Sequence, residues 1–140
     1  MPLGNILVKK YLYPFLFWFL LVIIAILNGT LRQFGYRPFL GELLAHQASC
    51  FVGISLFFIA MYAFFKYAKI DYTKGELALM GLAWLLMTIL FEFVFGHYVM
   101  GNSWEKLLAD YNILAGRLWV LVLLATAAGP SLIYPVARKP

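Results

Sequence analysis

The sequence predicts an all-α fold, a four-transmembrane-helix bundle with a short interfacial helix between helices three and four. Three observations carry this reading. The 140 residues are 64% hydrophobic and only 12% charged, against roughly 25% charged residues in an ordinary soluble domain. The apolar residues gather in four runs, 11–27, 43–65, 77–95 and 113–133, each close to the roughly 20 residues that carry a helix across a ~30 Å hydrocarbon core. No run alternates in polarity as a barrel strand does, and a helix satisfies its own backbone hydrogen bonds where water is absent.

The first span is expected over about 11–28. Lys9 and Lys10 precede it as in a signal peptide, but Ile26-Leu27-Asn28-Gly29-Thr30 has no small-x-small cleavage site, so the segment reads as a retained helix. Asn28-Gly29 marks its end. An outer segment over 30–37 then leads to Pro38, whose missing N–H suits the first turn of the second span, 39–67. Cys50, the single cysteine, falls inside that span and reads as a small buried hydrophobe. Thr73-Lys74-Gly75-Glu76 is a capping box opening the third span, 75–95. Asn102-Ser103-Trp104-Glu105 resembles a second box and begins a short helix. Trp104, Leu107, Leu108 and Tyr111 share one face of it, as in a helix lying in the membrane interface. The fourth span, 113–133, is expected to end at the breaker pair Gly129-Pro130. The spans make one transmembrane domain of residues 1–140.

Four crossings put both termini and the middle loop on one side. That side carries Lys9, Lys10, Lys66, Lys69, Lys74, Arg138 and Lys139 against Asp71 and Glu76. The other carries Arg32, Arg37, Lys106 and Arg117 against Glu42, Glu92, Glu105 and Asp110. The formal charge of +5 therefore belongs to the side of the termini. The positive-inside rule places that side in the cytoplasm of a bacterial inner membrane. Anionic lipid head groups account for the excess, and no nucleic-acid partner is expected.

Polar residues at membrane depth are expensive and require a reason. At about 100° per residue, Glu42, His46, Ser49 and Gly53 form one stripe on the second helix. Gly81, Trp84, Thr88 and Glu92 form another on the third. Asp110, Leu114, Arg117 and Leu121 share a face of the fourth if that helix is continuous. Asn28 and Arg32 lie four apart at the end of the first. Every span thus sends polar groups toward the outer layer.

Several chemistries use such groups. His46, His97, Glu42 and Glu92 make a metal-ligand inventory, although without an H-E-x-x-H pattern. His46 and His97 also suggest a haem-bearing redox subunit. A lipophilic molecule with a polar head, of the lipid or quinone class, fits better. Glu42, His46, Glu92, Arg117, Asp110 and Arg32 are the candidate binding residues, and Trp104, Tyr98 and Tyr111 would shape the mouth. Glu42, Glu92 or His46 would serve as acid or base if chemistry occurs. Two further readings stand beside this one. In the first, the same residues pair with each other and fix helix register. In the second, the chain is an accessory subunit of a larger membrane complex or a homo-oligomer.

Asn28-Gly29-x-x-Arg32, Ala45-His46-Gln47-x-Ser49, Phe91-Glu92-Phe93-x-Phe95-Gly96, Asp110-Tyr111-Asn112 and Gly116-Arg117-Leu118-Trp119 resemble an uncharacterised bacterial family of small four-helix integral membrane proteins. That resemblance implies the architecture over nearly the whole chain and brings no activity with it. Length, four spans and the polar second helix with Ala45-His46-Gln47 are also similar to the MAPEG family of membrane glutathione and eicosanoid enzymes. This chain has Ala45 and Ser49 around His46 where that family is expected to carry Arg and Asn, and no catalytic residue carries over.

Overall fold

The computed structural model describes residues 3–139. Helices α1 (Leu3–Leu31), α3 (Glu42–Ala68), α4 (Lys74–Val94) and α6 (Trp119–Ala137) form the bundle, with no strand among the described residues. A π-helical turn, Arg32–Tyr36, extends α1 into the short α2 (Arg37–Leu40), and a second, Phe95–Val99, extends α4. The short α5 (Trp104–Ala109) and a 3-10 turn, Ile113–Ala115, connect to α6. Four helical stretches are long and apolar enough to cross a membrane, which makes this a multi-pass, all-α architecture.

Helix α6 packs extensively on both α3 and α4, while α1 lies mainly on α3 and meets α4 lightly. Glycines permit the close contacts. A Cβ at Gly81 would fall on the Ala127 carbonyl oxygen, and one at Gly129 on the Met61 sulfur. In a bilayer such backbone approach is the main source of helix association, because lipid tails are as apolar as the side chains. Trp84, Phe65 and Met61 fill the space around this contact and are essentially fully buried.

The looser α1–α4 seam is joined by indoles. Trp84 Nε1 donates to the Pro14 carbonyl at 3.0 Å, and Trp18 Nε1 to Thr88 Oγ1 at 3.0 Å. Pro14 lacks an N–H, so the Lys10 carbonyl loses its helical partner. The Tyr72 hydroxyl replaces that donor at 3.1 Å.

The structure confirms the Thr73 capping box, with both reciprocal bonds present. It moves three boundaries. The first helix does not end at Asn28-Gly29. It runs on to Leu40, and the break is Gly41, at φ +81° and ψ 171°, a conformation open only to glycine. Asn28 and Thr30 do not compete with the helix, because each finds another acceptor. Asn28 Nδ2 bonds the Ser49 carbonyl and Thr30 Oγ1 the Ile26 carbonyl. Pro38 is accommodated because the π turn resets the register just ahead of it. The fourth helix is displaced by several residues. It starts at Trp119 because Gly116, at φ +85°, ends the preceding turn, so Asp110, Leu114, Arg117 and Leu121 share no continuous face. At its other end α6 continues through Pro130 and Pro135 to Ala137, with Gly129 and Pro130 buried against the bundle. The short helix expected to start at Asn102 or Ser103 is capped by Ser103, which accepts from the Lys106 N–H at 3.1 Å.

Candidate functional site

The loop-bearing end of the bundle gathers the end of α1, the first turns of α3, the end of α4, and the chain entering α6. Its first construction is a clasp. Glu42, His46 and Gln47 in the opening turns of α3 hold three successive residues of the segment before α6. Arg117 forks onto Glu42, Nη1 to Oε1 at 2.6 Å and Nη2 to Oε2 at 3.0 Å. The Leu118 N–H donates to His46 Nε2 at 3.1 Å, and Gln47 Nε2 donates to the Gly116 carbonyl at 3.0 Å. A backbone N–H on Nε2 requires that nitrogen to be the acceptor, which sets the neutral His46 tautomer with its proton on Nδ1. The Glu42 carboxylate holds the Arg117 guanidinium above its usual pKa.

The second construction centres on Glu92. Its Oε2 accepts from the Tyr111 hydroxyl and from Trp119 Nε1, both at 2.6 Å. The carboxylate thereby ties α4 to α6 and to the segment after α5. Burial, together with the Glu92 carboxylate, pushes the Tyr111 hydroxyl above the ordinary tyrosine range, so it is a donor at any physiological pH.

Between these constructions lies empty space with polar walls. An outer cavity of about 260 Å³ is lined by Arg32, Arg37, Glu42, His46, Lys106, Asp110 and Arg117 among others. An inner cavity of about 220 Å³ shares Arg32, His46 and Asp110 with it and adds Asn28, Ser49, Glu92 and Trp119. A third, of about 230 Å³, shares Glu92, Asp110 and Trp119 with the inner one and is otherwise mainly apolar, with Trp18, Leu21, Phe91 and Phe95. Arg32 and Asp110 are half-buried, and neither forms an ion pair among the described residues. The Asn28 amide bonds the Ser49 carbonyl at 2.7 Å, but its Oδ1 is buried without a partner. An unsatisfied buried carbonyl of this kind costs about 1–3 kcal/mol.

The six expected binding residues therefore divide. Arg32, His46, Glu92 and Asp110 line a common cavity, whereas Glu42 and Arg117 neutralise each other at its outer rim. The metal set His46, His97, Glu42 and Glu92 does not come together. No group of three or more His, Cys, Asp or Glu among the described residues is placed to hold an ion. The physical reason lies at His97, on the π turn. Its Nδ1 donates to the Asn102 carbonyl at 2.8 Å and its ring stacks on Trp104 at 3.7 Å. The histidine pair suggested for a haem is thus committed on both sides, His46 to Leu118 and His97 to this stack. Trp104 and Tyr98 belong to the same aromatic stack and line none of the three polar-end cavities. Gln47 and Trp119 belong to the site and lie off the polar stripes. The signal for Trp119 is an indole N–H in the first turn of a span, which needs an acceptor when buried. The chain matches no protein-family model, no curated protein and no solved structure.

Proposed function

We propose that this is a protein of a bacterial inner membrane, with both termini cytoplasmic, whose outward-facing polar cavity binds a lipophilic molecule with a polar head of the lipid or quinone class. The distribution of Lys and Arg supports the orientation. The observation that carries the binding reading is a mismatch. Arg32 and Asp110 face one cavity without ion-pair partners, beside the unsatisfied Asn28 Oδ1. A sequence selected only for a closed bundle gains nothing from leaving half-buried charges unpaired. A second, mainly apolar cavity shares Glu92 and Trp119 with it, which sets apolar space beside the polar walls as an amphiphile requires. Arg32, Asp110, His46 and Glu92 are the head-group residues in this reading, and Glu42 with Arg117 closes the rim.

A structural reading has one observation of its own. The Glu42–Arg117 and Glu92–Tyr111–Trp119 bonds are complete without a ligand and suffice to dock the segment before α6. Native mass spectrometry of the full chain, extracted in mild detergent from its own membrane, separates the two. Binding predicts an adduct of lipid or quinone mass that Asp110→Asn weakens. A bare chain whose variants lower only the melting temperature assigns the network to structure. Bound protein subunits instead place the chain in a larger membrane complex.

A further inference from the structure

The order of the three cavities specifies the ligand more closely than its polarity does. Beginning at the seam between α1 and α4, an external groove is lined by Trp18, Met87, Leu90, Phe91, Val94 and Phe95. Trp18, Phe91 and Phe95 also line the apolar cavity, so the two adjoin. From there the lining passes to Glu92 and Asp110, both acceptors, beside Asn28 Oδ1, a third acceptor that is unused. Beyond them Arg32 opens onto the outer cavity. Four cations, Arg32, Arg37, Lys106 and Arg117, meet two acids there, Glu42 and Asp110. With Arg117 consumed by Glu42, three cations face a single acid. The charge pattern therefore runs from apolar, through a belt of acceptors, to a cationic mouth.

We propose, on the basis of the amphiphile reading above, that the ligand is a single-chain lipid carrying a hydrogen-bond donor next to its tail and an anion at its terminus. A hydroxyl or amide N–H meets Asp110 and Glu92. A terminal phosphomonoester or carboxylate meets Arg32, with Arg37 and Lys106 at the rim. The tail leaves sideways between α1 and α4, which meet only lightly. A neutral quinone head leaves the cationic mouth unanswered. A head group ending in an ammonium puts a positive charge among three cations. Arg32 is the discriminating residue because its guanidinium offers two parallel donors to either anion.

The test uses the full chain in neutral detergent and four probes of matched tail: lauroyl lysophosphatidate, with hydroxyl and phosphate; dodecyl phosphate, with the anion alone; monolaurin, with hydroxyls alone; and a dodecyl-chain ubiquinone. Titration calorimetry is expected to rank lysophosphatidate first, with monolaurin and the quinone each weaker by about tenfold or more, the value of one charge-assisted contact. Arg32→Gln removes the advantage of the anionic probes over monolaurin. Asp110→Asn narrows the gap between lysophosphatidate and dodecyl phosphate. If Arg32→Gln fails to fold, the exposed pair Arg37→Gln with Lys106→Gln keeps the test, with a smaller loss of the same preference. Monolaurin or the quinone binding as tightly as lysophosphatidate overturns the anion assignment and leaves the amphiphile reading standing. Equal affinity for lysophosphatidate and dodecyl phosphate overturns the donor assignment. Binding of none of the four overturns both proposals.

Discussion

The two ends of the bundle solve the same problem differently. At the end of the termini both acids are paired, and Lys66, Lys69, Lys74 and Lys139, which have no ion pair among the described residues, are exposed. Lys10 reaches Glu76 at 2.8 Å, and Arg138 holds Asp71 at 2.7 Å and the Ile70 carbonyl at 2.6 Å. Tyr72 accounts for itself twice, donating from its hydroxyl to the Lys10 carbonyl and from its backbone N–H to the Tyr134 hydroxyl. Burial raises the Tyr72 hydroxyl pKa well above the ordinary value, so that donor is permanent. At the loop-bearing end the pairing is incomplete. Both π-helical turns are there, and so are Arg32, Asp110 and the unsatisfied Asn28 carbonyl. Turns of i→i+5 type recur where a helix is reshaped for a purpose. The comparison teaches where each end leaves its unpaired charge: mainly on exposed lysines at the end of the termini, and on the half-buried Arg32 and Asp110 at the other.

The variant of largest expected effect tests the spine that both ends share. Gly81→Leu places a side chain on the Ala127 carbonyl, forcing α4 from α6, and should cost about 3 kcal/mol or more. Both ends should then open together in hydrogen exchange. If only one opens, the ends are not coupled through this contact. Next comes Glu92→Leu, which strands the Tyr111 hydroxyl and the Trp119 indole and should cost about 1–3 kcal/mol. Exchange should rise over 110–119 and stay unchanged over 70–76. A uniform rise would erase the distinction between the ends.

Tyr72→Phe is the matching cut at the other end. It removes the donor that replaces the proline-deleted bond and should cost about 1 kcal/mol. Amphiphile binding should be unaffected, and a loss of binding would show that the two ends are linked. Smallest is Glu42→Gln, which breaks a rim pair whose acid is 51% exposed. Exposed pairs contribute about 0.2–1 kcal/mol, so the melting temperature should barely move. The freed Arg117 should instead raise the affinity for anionic amphiphiles. A large drop in stability with no gain in affinity would return this pair to a structural role.

Much of the architecture was legible because lipid simplifies the rules. A run of apolar residues long enough to cross the hydrocarbon has little choice but to be a helix, and Thr73 with Glu76 announces its cap by spacing alone. The stripe of His46, Ser49 and Gly53 faces the inner cavity because it follows from phase within one uninterrupted helix. The breaks were not legible. Asn28-Gly29 and Gly129-Pro130 interrupt helices in water, where the backbone finds other partners. Here the Ser49 carbonyl occupies Asn28, Met61 and Phe58 of α3 pack on Gly129, and Pro130 is buried, so the helix continues.

By itself the sequence determined the number of spans, the helical class, and the fact that polar groups from every span reach one layer. Hydropathy and helical period are local properties, and they depend only on which residues follow one another. Tertiary structure alone decided which of those groups pair. That Glu42 and Arg117, 75 residues apart, neutralise each other while Arg32 and Asp110 do not depends on where the positive φ at Gly41 and Gly116 sends the chain. Such turns are fixed by contacts between helices, so the cavity they leave has no signature along the chain.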